Sequence, residues 1–175
     1  MKFDFVTIFL VMLLLSSCRQ SVGYDNIQNK DGLYIDKSTD EVLDGKYKSV
    51  TLHPFSRETV IKQEFKNGLP IGEWEEWNGD ELIHRGKYIQ ENELANRIKD
   101  MTNSKRVNLN LWKEADYAML SIELVQPAHA DSSTLEKVAG VTEKELKDKY
   151  VFSTIIFDSI NNSTTERRIF EYEIK

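Results

Sequence analysis

The sequence predicts a mainly β protein with an α+β part: an N-terminal antiparallel ribbon of hairpins, then a small two-layer ββαββ unit. Three observations carry this expectation. A glycine–aromatic pattern recurs between residues 31 and 89. Apolar and polar residues alternate with a period of two in three later stretches, and two further stretches place apolar residues at helical spacing. The chain of 175 residues suits one ordinary domain or two small ones. With 40% hydrophobic and 30% charged residues it has the composition of a folding chain, not of a disordered one.

The first element is a leader. Phe5–Leu15 is a run of eleven residues, apolar apart from Thr7. A spanning helix needs about 20 residues, whereas a run of this length fits the apolar region of a secretory signal peptide. Lys2 is its positive flank, and Asp4 offsets that charge. Leu15-Ser16-Ser17-Cys18 then resembles the bacterial lipobox: a branched apolar residue, two small residues and a cysteine. The resemblance implies that Cys18 takes a diacylglycerol, that residues 1–17 are removed as a signal peptide, and that the freed amine is acylated. Small residues before the cysteine leave the scissile bond accessible. Each buried methylene contributes about 0.8 kcal/mol and stable anchoring takes more than one chain, so such an anchor would hold the protein on a membrane. Cys18 is the single cysteine, which leaves no internal disulfide and no thiolate metal site. Arg19 stands where aspartate would retain a Gram-negative lipoprotein at the inner membrane. The resemblance therefore implies a cell-envelope protein at the outer membrane, facing the periplasm. Residues 18–30, including the polar Ser21–Asn29, read as a tether.

Residues 31–89 read as hairpins. Gly32–Tyr47 (GLYIDKSTDEVLDGKY) and Gly72–Tyr88 (GEWEEWNGDELIHRGKY) share Gly-x-aromatic, a polar turn, two apolar residues and Gly-Lys-Tyr. Residues 58–74 supply a middle copy, with Phe65 in the place of Tyr47 and Tyr88. Asn67-Gly68 and Asn78-Gly79 offer the positive φ of tight turns. Gly45 and Gly86 are expected opposite aromatic rings that lie across them. Glycine spacing, Pro54 and Pro70 argue against helix.

This segment resembles MORN-type repeats, in the variant found in the antitoxin-like family of bacterial proteins. Phe65-Lys66-Asn67-Gly68, followed by Gly72-Glu73-Trp74-Glu75-Glu76-Trp77 and Asn78-Gly79, follows that family's pattern, and Gly32–Tyr47 resembles its opening hairpin. The middle copy departs from it, with Gln63-Glu64 where Gly-Lys stands elsewhere. The resemblance covers about sixty residues and implies an extended antiparallel ribbon, in a family that includes antitoxins and envelope proteins. Trp74, Trp77, Tyr34 and Tyr88 are the candidate partner-binding residues, because aromatic side chains are enriched at interfaces. Ring packing within the ribbon is the other use of the same side chains. Trp74 and Trp77, three apart on a strand, are expected on opposite faces, beside the acidic Glu73, Glu75 and Glu76.

Residues 90–105 read as a helical linker, with Leu94, Ile98 and Met101 at i, i+4 and i+7 and Thr102-Asn103-Ser104 as its end. The unit 106–175 opens with two strands. Arg106–Leu111 alternates Val107, Leu109 and Leu111, and Tyr117–Val125 alternates Ala118, Leu120, Ile122 and Leu124, with a turn at 113–116. Ser133-Thr134-Leu135-Glu136 reads as a capping box, Gly140 as a helix stop, and Thr142–Glu145 as a second box with Val141 and Leu146 as its staple. The helical segment is therefore expected to break near Gly140. Val151–Phe157 is apolar and β-branched, a buried strand; Asn161-Asn162 is a turn, and Arg168–Ile174 alternates again. The order places one sheet under helix on one face.

No catalytic constellation stands out. His53, His84 and His129 lie at no zinc-ligand spacing, so neither a metal nor a cofactor is expected beyond the covalent lipid on Cys18. Asp131, Ser132 and Ser133 near His129 invite a triad reading, but adjacency is not triad geometry, and helix capping accounts for them. A net charge of −6 and a pI near 5.2 provide no basic footprint for a phosphate backbone, which argues against nucleic acid. The expected function is a membrane-anchored, non-enzymatic lipoprotein that binds or scaffolds an unknown protein partner. The family resemblance adds an antitoxin or immunity role as the alternative.

Overall fold

Period-two alternation resolves into twelve strands, with two helices, among the described residues of the computed structural model: 20–23, 26–30, 32–51, 58–114, 117–160 and 166–174. Cys18 and the leader, His53, Pro54, turn residues 115–116 and Asn161-Asn162 lie outside them. In chain order the strands are β1 (Gln20–Gly23), β2 (Ile27–Lys30), β3 (Leu33–Asp36), β4 (Glu41–Val42), β5 (Gly45–Thr51), β6 (Thr59–Lys66), β7 (Leu69–Asn78) and β8 (Glu81–Ile89). Helix α1 (Asn92–Thr102) leads to β9 (Arg106–Glu114) and β10 (Tyr117–Val125), and α2 (Ser132–Leu146) leads to β11 (Thr154–Ile160) and β12 (Glu166–Glu173).

Nine strands form one sheet in the order β1-β5-β6-β7-β8-β9-β10-β11-β12. It is antiparallel except at β1–β5 and β10–β11. The hairpin segment and the C-terminal segment share this sheet through β8 and β9, paired from Arg85–Lys113 to Ile89–Leu109. Strands β2, β3 and β4 form a second, antiparallel sheet. Residues 20–23 and 27–30, expected within a tether, are thus strands of the two sheets.

Both helices pack on one face of the large sheet. Leu94 and Ile98 of α1 and Leu135 and Val138 of α2 bury against residues such as Leu109, Ile122 and Phe157. Burying one such side chain contributes about 1.5–3 kcal/mol, so this face is the main core. Helix α1 ends as its sequence suggests: Asn103 adopts φ 46°, and the Ser104 N–H donates to the Lys99 carbonyl at 3.0 Å.

Three expectations for the C-terminal segment are corrected. The N-cap of α2 is Asp131, not Ser133; its carboxylate accepts from the Thr134 N–H at 3.0 Å and from Thr134 Oγ1 at 2.8 Å. The helix also runs unbroken through Gly140. Thr142 is buried and donates its hydroxyl to the Val138 carbonyl at 2.8 Å inside the helix, so it caps nothing. Leu135, Val138, Ala139, Thr142 and Leu146 form one buried stripe, and its burial outweighs the roughly 1 kcal/mol that a glycine costs a helix. Finally, β11 begins at Thr154 and not at Val151, which is 85% exposed. Parallel pairing with β10 starts at Met119–Thr154, just after the Ser153 N–H donates to the Ala118 carbonyl at 2.9 Å.

The small sheet lies on the opposite face. The Asn67-Gly68 turn, with φ of 51° and 73°, has the positive pair that a two-residue hairpin favours. The Gly68 N–H donates to the Leu43 carbonyl and its carbonyl accepts from the Tyr34 N–H, both at 2.8 Å. A second, smaller core of Leu43, Tyr47 and Phe65 forms there, with Ile27 and Tyr34 against it. At the far end the Arg106 guanidinium donates to the Gly32 carbonyl. Gly45 corrects a further expectation: a Cβ there would meet nothing within 4 Å, and its φ of 101° is what requires glycine.

Gly140 is exposed in mid-helix, and a Cβ would meet nothing within 4 Å. Gly140→Ala is expected to stabilise the protein by about 0.5–1 kcal/mol, read as a higher urea midpoint at unchanged slope. A lower midpoint would contradict a continuous helix.

Candidate functional site

Side chains alternate along a strand, so the strands that bury leucine and isoleucine under the helices turn their other residues to the opposite face. That face carries rings, amides and carboxyls. A hollow of about 610 Å³ opens on it, floored by the large sheet and bordered by Ile27, Asn29 and Tyr34 of the small one. A neighbouring hollow of about 550 Å³ continues it and shares Trp74, Glu76, Asn110 and Glu123.

Trp74 sits within a bulge. Lys62 pairs with Glu75 but Glu64 pairs with Ile71, so β7 carries extra residues there, with Gly72 at φ 64°. Its indole crosses β8 at Gly86, where an added Cβ would lie 2.5 Å from Nε1. Nε1–H donates to Asn110 Oδ1 on β9 at 2.8 Å. Gly86 is therefore a ring-crossing glycine, as its place in the pattern suggested.

Tyr88 makes a similar reach one strand further on. Its hydroxyl passes β9 and donates to Glu123 Oε1 on β10 at 2.9 Å, while Asn108 Nδ2 donates to Oε2 at 3.0 Å. Glu123 is only 2% exposed. Burial raises its pKa above the ordinary carboxyl value; the bonds from Asn108 and Tyr88 pull it back, and the charge of Asp158 pushes it up again. Asp158 accepts from Ser121 Oγ at 2.6 Å and lies 4.0 Å from the Arg168 guanidinium. At the other end, His84 Nδ1 lies 2.9 Å from Glu76 Oε2, with its ring edge-on to Trp112 at 5.6 Å.

The small sheet contributes Asn29, which is 1% exposed. Its Oδ1 accepts from the Gly32 N–H at 2.9 Å, but its Nδ2 has no partner among the described residues. Tyr34 and Tyr47 both pack on Phe65, with centroids 5.3 and 5.7 Å away.

The structure brings Trp74, Tyr34 and Tyr88 together around the hollow and leaves Trp77 out. Trp77 donates Nε1–H to Glu75 Oε2 at 3.0 Å, and the Lys62 ammonium stands 4.4 Å over its ring. The two tryptophans thus differ in surroundings as their spacing implied. Cys18 lies outside the described residues. Asn29, Asn108, Asn110 and Glu123 were not singled out from the sequence. Their signal is faint: amides and a carboxyl at the polar positions of "VNLN" and "SIEL" look like a solvated face. Chemically, the first hollow offers aromatic faces, amide groups and the carboxyls of Glu76 and Glu123, and among the described residues no lysine or arginine lines it.

Gly86→Ala puts a methyl group into the Trp74 indole and is expected to cost about 1–3 kcal/mol. Tryptophan emission should shift with it; an unchanged spectrum and midpoint would contradict the crossing. Glu123 makes a separate expectation. Because its folded pKa is raised, the folded state holds this proton more tightly than the unfolded one. Stability from this group is therefore full below the ordinary value of 4.5 and falls as pH rises through the raised one. Glu123→Gln should flatten that fall in urea titrations taken across pH, and an equal slope in both proteins would refute it.

No protein-family model, no curated protein and no solved structure matches the chain.

Proposed function

We propose that the protein is a lipid-anchored lipoprotein of the bacterial cell envelope that holds a partner protein, without catalysis, on the helix-free face of its large sheet. The observation that carries this reading is the asymmetry of that sheet. One face is filled by both helices, while the other presents a hollow ringed by Trp74, Tyr34 and Tyr88. Aromatic side chains beside a recess are where interface energy concentrates. The lipobox-like Leu15–Cys18 supports the location. The succession of β5, β6, β7 and β8 as antiparallel neighbours supports kinship with MORN-type hairpin ribbons, and such ribbons suit scaffolding.

Crosslinking and mass spectrometry in the native host, with the natural chain and a Cys18→Ser variant, test both halves. The natural chain should fractionate with membranes and yield one recurrent crosslinked protein, and the variant should be released. Membrane retention of the variant would overturn the anchor. Failure to recover any recurrent partner would overturn the scaffold. A recovered toxin, tolerated by the cell only alongside this chain, would select the immunity role instead.

A further inference from the structure

We infer that the hollow between the two sheets is a saccharide site, taking a neutral, hydroxyl-rich ring against the aromatic row of β5, β6 and β7. This goes beyond the anchored-scaffold reading and does not depend on it, since a sugar site needs neither the lipid nor a protein partner.

Size sets the class of ligand. About 610 Å³ falls within the roughly 300–1,000 Å³ of small-molecule sites. The hollow lies over a sheet face and not along a strand edge, so a peptide could not bind there by adding a strand.

Charge and hydrogen bonding narrow it. Among the described residues the charged side chains of the first hollow are Glu76 and Glu123, and its nearest cation, Arg168, lines the neighbouring hollow beside Asp158, so an anionic ligand in the first hollow would meet repulsion without a counter-charge of its own. A simple ammonium fails for a different reason. Asn29 Nδ2 is a buried donor without a partner among the described residues, an unfavourable state while unpaired, and an ammonium has no acceptor to give it. Across the same hollow, Glu123 accepts from Tyr88, Asn108 and Asn110, which leaves one lone-pair site of the carboxylate for a further donor. A hydroxyl group donates and accepts at once, so a polyol satisfies both ends.

The rings supply the remaining contact. Tyr34, Tyr47 and Phe65 form one cluster beside the hollow, and Trp74 is held at its margin by Asn110. Aromatic faces are negative and their bodies apolar, which matches the C–H faces of a pyranose.

The test is titration of the full chain, in detergent, with maltose, cellobiose, lactose and diacetylchitobiose, read by tryptophan emission and by ligand-observed NMR. Choline, glucuronate and trialanine are titrated in parallel. At least one disaccharide should bind saturably, with a dissociation constant of about 1 mM or tighter. Asn29→Asp keeps the oxygen that caps Gly32 but removes the Nδ2 donor, and it should weaken that binding about tenfold. Glu123→Gln, which removes the carboxylate acceptor, should weaken it too and serves alone if the first variant fails to fold. Trp77→Phe, outside the hollow, should leave it unchanged. Binding by none of the four sugars, equal weakening by Trp77→Phe, or tighter binding of choline, glucuronate or trialanine would each overturn the assignment. Membrane fractionation and protein crosslinks are read on the natural chain without added sugar, so absence of sugar binding leaves the scaffold standing and absence of a recurrent crosslink leaves the sugar site standing.

Discussion

The indole of Trp74 spans a whole strand. From β7 it crosses β8 at Gly86 and donates to Asn110 on β9, and Tyr88 passes β9 to reach Glu123 on β10. Adjacent strands stand about 4.8 Å apart, so each reach covers roughly 10 Å, a span for which long aromatic side chains are suited. The two reaches meet at the β8–β9 junction, where five residue pairs join the hairpin segment to the helix-covered segment. Glycine inside a strand is ordinarily a weakness. At position 86 it is a requirement, because any Cβ would collide with the indole that ties the segments together.

That junction lets the two faces of the sheet take different duties. Beneath the helices the packing is apolar, and Leu120, Ile122, Leu124, Ile155 and Phe157 are fully enclosed. Stability of this origin is non-directional and large in sum. It allows the other face to bury a carboxyl and an unpaired amide nitrogen, each of which costs free energy. Glu123 is tolerable because side-chain donors of Tyr88, Asn108 and Asn110 meet its oxygens. Asn29 Nδ2 is not so compensated among the described residues. Unmatched polarity on one face, set against a tightly packed core on the other, is what distinguishes a site from a second core.

Local patterning was sufficient wherever a signal and its consequence lie within a few residues. The bounds of β10, the helical spacing of Leu94 and Ile98, and the turn at Asn67-Gly68 are of this kind. It failed wherever a distant surface decides. Gly140 reads as a stop by its own nature, yet the buried stripe from Leu135 to Leu146 carries the helix through it. Strands β2, β3 and β4 are too short to show periodicity, and one end of their sheet is fixed by Arg106, far along the chain from Gly32. The hollow depends on that placement. Asn29 and Glu123 line one recess because the small sheet lies over the large one, and neither residue's neighbours in sequence could reveal it. The aromatic members were easier to read, since Trp74, Tyr34 and Tyr88 belong to a repeated pattern.

The position of β1 bears on how an anchored form would sit. Strand β1 starts at Gln20 and pairs in parallel with β5 at one edge of the sheet. With a lipid on Cys18, two residue steps separate anchor from strand, at most about 7 Å of chain. The headgroup layer itself is about 5–8 Å deep on each side of the hydrocarbon, so this edge would lie against the bilayer surface, not on a long leash. A free edge strand invites pairing with other chains, and proximity to lipid would shield this one. The opposite edge, β12, is managed by charge instead: its exposed Arg168, Glu171 and Glu173 interrupt the apolar residues, a pattern that discourages edge-to-edge association. The lipid would then be part of how the sheet avoids aggregation, and not merely an address.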